Sequence, residues 1–109
     1  MSKADRRRVG LAMADLARGS EDFAVIYRFF QDLSKLDGHS YIILCRTRMP
    51  LVADAILRAT DGALKDSSII QAMKAAPQLT DKEVVDLSAI TLELVTKTVS
   101  KAILDQDKS

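Results

Sequence analysis

The segment Thr80-Asp81-Lys82-Glu83 constrains the fold of this chain more than any other. It has the form of a capping box. The Thr80 hydroxyl can accept from the Glu83 amide while the Glu83 carboxylate reaches back to the Thr80 amide, so donors left over at a helix start are satisfied reciprocally. The helix it opens is predicted to run to about Leu104. Two apolar seams follow along it: Val84, Leu87 and Leu94 on one, and Val85, Leu92, Val95 and Val99 on the other. A surface helix needs one such stripe to sit on a core. Two imply burial on both sides, either centrally in the domain or across a subunit interface, and the interface is the preferred expectation.

The preceding sequence reads as further helices. In residues 3–18, Val9, Ala12, Met13 and Leu16 recur at helical spacing, and Gly19 ends the segment. Ser20 can cap the next helix, with Glu21 and Asp22 placed well against its dipole. Phe23, Ile26, Tyr27, Phe30 and Leu33 form one stripe over residues 21–36, and Asp37-Gly38 interrupts it as a turn or a kink. The run Tyr41-Ile42-Ile43-Leu44-Cys45 taken alone could be a buried strand, but no second strand candidate exists to pair with it, so residues 39–49 are predicted helical. Pro50 either kinks that helix or starts the next, which carries Val52, Ala55, Ile56 and Ala59 and ends at Asp61-Gly62. A short helix over about 67–76 ends before Pro77. The expected fold is therefore all-α: a compact domain of five to six helices with a long C-terminal helix, dimer-forming. Residues 1–109 make one domain, with 1–19 an N-terminal helical extension, 20–104 the core and 105–109 a polar, frayed tail.

Composition narrows the function. With 48% apolar and 28% charged residues the chain is globular in character. Cys45 is the lone cysteine, which rules out an intramolecular disulfide and fits a reducing compartment. The basic start Met1 to Arg8 is not followed by an apolar stretch long enough for a signal peptide, and no run approaches membrane-spanning length, so a cytoplasmic location without membrane contact is expected. The four glycines form no phosphate-cradling pattern, and one His with one Cys makes a zinc site unusual. His39 reads as a helix-start residue. It is six residues from Cys45, so on one helix the two point apart and make a poor nucleophile pair. No catalytic residue, no metal and no cofactor is expected; the chain is read as a binding protein.

The net charge of +1 hides an asymmetry. Residues 1–60 carry ten Lys or Arg against seven Asp or Glu, residues 61–109 six against eight, and all eight arginines lie at or before Arg58. Arginine's planar fork suits phosphate and carboxylate recognition. Arg6, Arg7, Arg8, Arg46, Arg48 and Arg58 are accordingly candidates for contact with a DNA backbone. The plainer alternative is that the N-terminal trio is a solvated helix start and that Arg46 and Arg48 pair with nearby acids.

From residue 31 to residue 100 the chain resembles the FlhD family, the D subunit of the flagellar master transcriptional activator. Three stretches carry the resemblance: Gln31 to Leu36 leading into His39 to Cys45; Ala55-Ile56-Leu57-Arg58 before the Asp61-Gly62 turn; and Leu79-Thr80 with Val84 to Ser88. Their order and spacing agree with the family, with small insertions near Gly38, Gly62 and Pro77, whereas the extra helix at 3–18, Pro50 inside the long helix and the shifted Arg46 and Arg48 depart from it. Those departures suggest a divergent relative, of the kind carried on conjugative plasmids and integrative elements. The resemblance implies a homodimer that joins a zinc-carrying C-type activator subunit, binds promoter DNA with it and recruits RNA polymerase. Tyr41, Leu44, Val85, Leu92, Val95 and Val99 are the residues then expected at the dimer or partner interface. A rival reading is a small helical anti-activator or adaptor that binds and inhibits another regulator.

Overall fold

The computed structural model describes the backbone of residues 3–107 and the side-chain surroundings of residues 10–102. Five α-helices and one 3-10 turn make up the described chain, and it contains no strand: α1 (Lys3–Gly19), α2 (Glu21–Leu33), α3 (Gly38–Ala59), α4 (Ser68–Lys74), the 3-10 turn Ala76–Gln78, and α5 (Asp81–Asp107). The all-α expectation and the long C-terminal helix are as observed.

Helix starts follow their sequence signals closely. The Ser20 hydroxyl accepts from the Phe23 amide at 3.4 Å and opens α2, and the Ser67 hydroxyl accepts from the Ile69 amide at 3.2 Å and opens α4. Before α5 the Thr80 amide donates to Glu83 Oε1 at 3.0 Å and the Glu83 amide donates to the Thr80 hydroxyl at 3.2 Å, which is the reciprocal pair of a capping box. The Thr80 amide first, and then the Thr80 hydroxyl, hold the Glu83 carboxyl below its ordinary range. A carboxyl depressed in the folded state contributes stability above its unfolded pKa and loses it as pH falls through the folded one. Thr80→Ala is expected to cost about 1 kcal/mol in urea unfolding at neutral pH. Glu83→Gln should be less stable than the parent at neutral pH, with the gap closing in acid.

Helix ends follow less closely, and each departure has a physical reason. The α2 helix stops at Leu33 rather than residue 36, where the Ser34 amide bonds back to the Phe30 carbonyl and the Ser34 hydroxyl donates to the Gln31 carbonyl. Pro50 neither starts nor ends a helix; α3 runs through it for 22 residues. Proline lacks the donor for the Arg46 carbonyl, a defect worth about 3 kcal/mol in a helix interior. Cys45, Met49, Val52, Ala53 and Ile56 are all buried on either side of it. At about 1.5–3 kcal/mol for each large apolar side chain buried, continuity outweighs the defect. The expected 67–76 helix is two pieces, α4 and the 3-10 turn. The α5 helix continues to Asp107, through most of the segment expected to fray, because neither Gly nor Pro interrupts it.

At its far end α3 closes with a Schellman motif. The Gly62 amide bonds the Leu57 carbonyl at 2.8 Å and the Asp61 amide bonds the Arg58 carbonyl at 3.2 Å. Asp61 and Gly62 take φ of 52° and 77°, so a non-glycine residue occupies the left-handed position that such a cap demands. This turn fixes where residues 60–64 lie beside α5.

The core is one cluster. Ile26 and Phe29 of α2, Met49 and Ile56 of α3, Ile70 and Met73 of α4, and Val84, Val95 and Val99 of α5 are all 0–1% exposed. Phe29 meets Phe30 edge to face, with centroids 5.0 Å apart and planes at 71°. Helix α3 packs most extensively on α2 and also touches α4, the 3-10 turn and α5, while α1 lies on α2 and α5. Of the two seams expected on α5, only one face is buried, comprising Val84, Leu87, Ser88, Thr91, Val95 and Val99. Val95 and Val99 therefore belong to the protomer's own core, and burial on both sides of α5 is not observed among the described residues.

Candidate functional site

The arginines proposed for DNA are engaged within the fold wherever their surroundings are described. The Arg46 guanidinium donates to the Leu79 carbonyl at 3.0 Å and to Asp81, clamping α3 to the start of α5. Arg48 pairs with Asp32 at 2.9 Å and Arg58 with Asp22 at 2.8 Å, two clamps from α3 to α2. The hydrogen bond to Asp22, then its charge, raises the Arg58 pKa further above its ordinary value. These pairs are largely exposed, and exposed pairs contribute at most about 1 kcal/mol each. Their consequence is geometric: each guanidinium already has a carboxylate partner, as the plainer alternative anticipated for Arg46 and Arg48. The side-chain surroundings of Arg6, Arg7 and Arg8 lie outside the described residues.

The six expected interface residues separate into three groups. Val95 (1% exposed) and Val99 (0%) belong to the protomer's own core, so an interface containing them would have to open the fold; this corrects the expectation for both. Tyr41 and Leu44 are half-buried against that core. The Ser88 hydroxyl spends its proton on the Val85 carbonyl at 2.6 Å, so at the 2.6 Å contact between Tyr41 Oη and Ser88 Oγ it is Tyr41 that donates, and this contact ties α3 to α5. Val85 and Leu92 remain, 41% and 44% exposed. They are seven residues apart and so share one face of α5.

A second uncovered face was not anticipated. Ile43 and Leu51, eight residues apart on α3, are exposed on one side of the helix together with Thr47 and Asp54. The signal was present in the run Tyr41 to Cys45, because five consecutive apolar residues on a helix cannot all face one core. Together with Leu11 of α1, these residues give three of the described helices large apolar side chains that their own fold leaves in water.

Cys45 is fully buried, and burial pushes its thiol up to about 11, so it stays protonated at neutral pH and acts as a packing group. His39 is exposed, apart from it. Among the described residues no three His, Cys, Asp or Glu side chains cluster as a metal would require, and no helix is long and apolar enough to cross a membrane.

Among the described residues there is a concavity large enough to hold a ligand. A groove of about 400 Å³ opens between the first turn of α2 at Phe23, the turn following α3, and the second half of α5. Phe23, Leu64 and Leu94 supply apolar lining, while Asp61, Lys97 and Lys101 supply charge. Comparison with protein-family models gives no match to the chain, and comparisons with curated proteins and with solved structures give none either.

Proposed function

We propose that this chain is a docking subunit: it dimerises and joins a partner protein in a regulatory complex on promoter DNA, with no catalytic step of its own. The observation that carries the proposal is the pair Val85 and Leu92, left exposed on one face of α5, whose buried face contributes to the core. Interface cores are depleted in charge and built from apolar side chains at helical spacing, as this face is. The resemblance of residues 31–100 to the FlhD family supports reading the complex as a transcriptional activator that recruits RNA polymerase, with base readout belonging mainly to a zinc-carrying C-type subunit. The departures from the family pattern favour a relative serving gene transfer on a mobile element.

The ion pairs of Arg46, Arg48 and Arg58 favour a second reading, in which the chain is an adaptor that docks on another regulator and inhibits it without touching DNA. Co-expression with proteins encoded beside it, followed by mobility-shift assays on nearby promoters across a salt series, separates the two. In the activator reading the complex shifts DNA. There, Arg6→Ala/Arg7→Ala/Arg8→Ala lowers the salt slope by about 0.9 log unit for each phosphate no longer neutralised. A complex that forms but binds no DNA at low salt supports the adaptor and removes the activator.

A further inference from the structure

We propose that the groove between Phe23, the turn after α3 and the second half of α5 binds a small amphipathic monocarboxylate, with its apolar body on Phe23, Leu64 and Leu94 and its carboxylate on Lys97 and Lys101. At about 400 Å³ the groove falls within the few hundred to a thousand Å³ usual for small-ligand sites, which are mostly apolar with a few convergent polar groups.

The donors in the lining decide the ligand's head group. Two threonines line the groove, but the Thr60 hydroxyl donates to the Ile56 carbonyl at 2.8 Å and the Thr98 hydroxyl to the Leu94 carbonyl at 2.9 Å. Each hydroxyl has one proton, so neither is available to a ligand. Lys97 and Lys101 are four residues apart, hence neighbours one turn along α5. Neither makes an ion pair with a described side chain. Their ammonium groups are the side-chain donors left to a guest, and they call for an anion. Asp61 lines the same groove, so the three charges sum to +1, which matches a monoanion and disfavours a doubly charged phosphate monoester.

The site is separate from the docking face. Leu94 and Lys101 follow Leu92 by two and nine residues, which places them about half a turn around α5 from it. A ligand in the groove leaves Val85 and Leu92 uncovered, so the proposal stands or falls independently of the docking reading.

The test is titration of the full-length protein with decanoate, by calorimetry and by amide chemical shifts, with decanol and decyl phosphate as comparators. Saturable one-to-one binding is expected. Shifts should be confined to the segments around Phe23, Thr60 to Leu64 and Leu94 to Ala102, and decanol and decyl phosphate should each bind at least about tenfold more weakly. Lys97→Gln/Lys101→Gln should lose about tenfold in decanoate affinity, roughly the worth of one charge-assisted contact. Ala63→Trp, at an exposed position of the turn, should block the groove while the circular dichroism spectrum and unfolding midpoint stay put. Equal binding of decanol and decanoate overturns the proposal, as does unchanged affinity in the lysine variant. So does the absence of saturation below about 1 mM, where the binding free energy is only about 4 kcal/mol. Shifts centred on Val85 and Leu92 also overturn it, since they place the guest on the docking face.

Discussion

Val95→Asp is expected to unfold the chain, whereas Leu92→Asp is expected to leave it folded. The two positions are three residues apart on α5 and share one seam by pattern alone, yet they are 1% and 44% exposed. An aspartate at Val95 would carry its charge into the buried apolar cluster. Without a partner it costs several kcal/mol, whether it ionises or holds a proton to avoid doing so. A domain of this length is stable by only about 5–15 kcal/mol, so most of the margin disappears. Surface changes such as Leu92→Asp stay within about 0.5 kcal/mol. Far-UV circular dichroism with a urea titration decides between the two behaviours. A cooperative, near-parental unfolding curve for Val95→Asp would show that this side chain does not sit in the core.

Phe29→Ala should be the costliest of the conservative truncations, at about 3–5 kcal/mol. Phe29 is completely buried in the core cluster, and its ring meets that of Phe30 edge to face. Truncation leaves a cavity in a close-packed cluster and removes the aromatic pair as well. For a domain of this size the loss corresponds to a fall in melting temperature on the order of 15 °C. Phe30 is only half-buried, so Phe30→Ala should lower the melting temperature by clearly less. Equal shifts for the two would contradict the arrangement of the α2 face.

What the sequence disclosed and what it hid divide along physical lines. Helix starts were legible at Ser20 and Thr80 because a cap is a local device, made between residues three apart. Ends were less so, since Pro50 is a strong local stop signal that five buried neighbours override through tertiary packing. The seams of α5 were half legible. Val85 and Leu92 keep a seven-residue step, but the three-residue step from Leu92 to Val95 swings the latter about 60° back toward the core face. Exposure of Ile43 was implicit in an apolar run too long for one helix face. The Arg46–Asp81 and Arg58–Asp22 clamps join residues 35 and 36 positions apart, and no local pattern announces them. The same holds for the groove, whose walls come from three separate stretches of chain.

The central claim is that Val85 and Leu92 form a docking face, beginning with self-association. Light scattering on the purified protein at micromolar concentration tests it most directly. The parent chain is predicted to scatter at twice its 12.0 kDa mass and Leu92→Asp at the single mass, with the two indistinguishable in helix content. A parent chain that runs as a clean 12.0 kDa monomer, or a Leu92→Asp variant that stays dimeric, would contradict it.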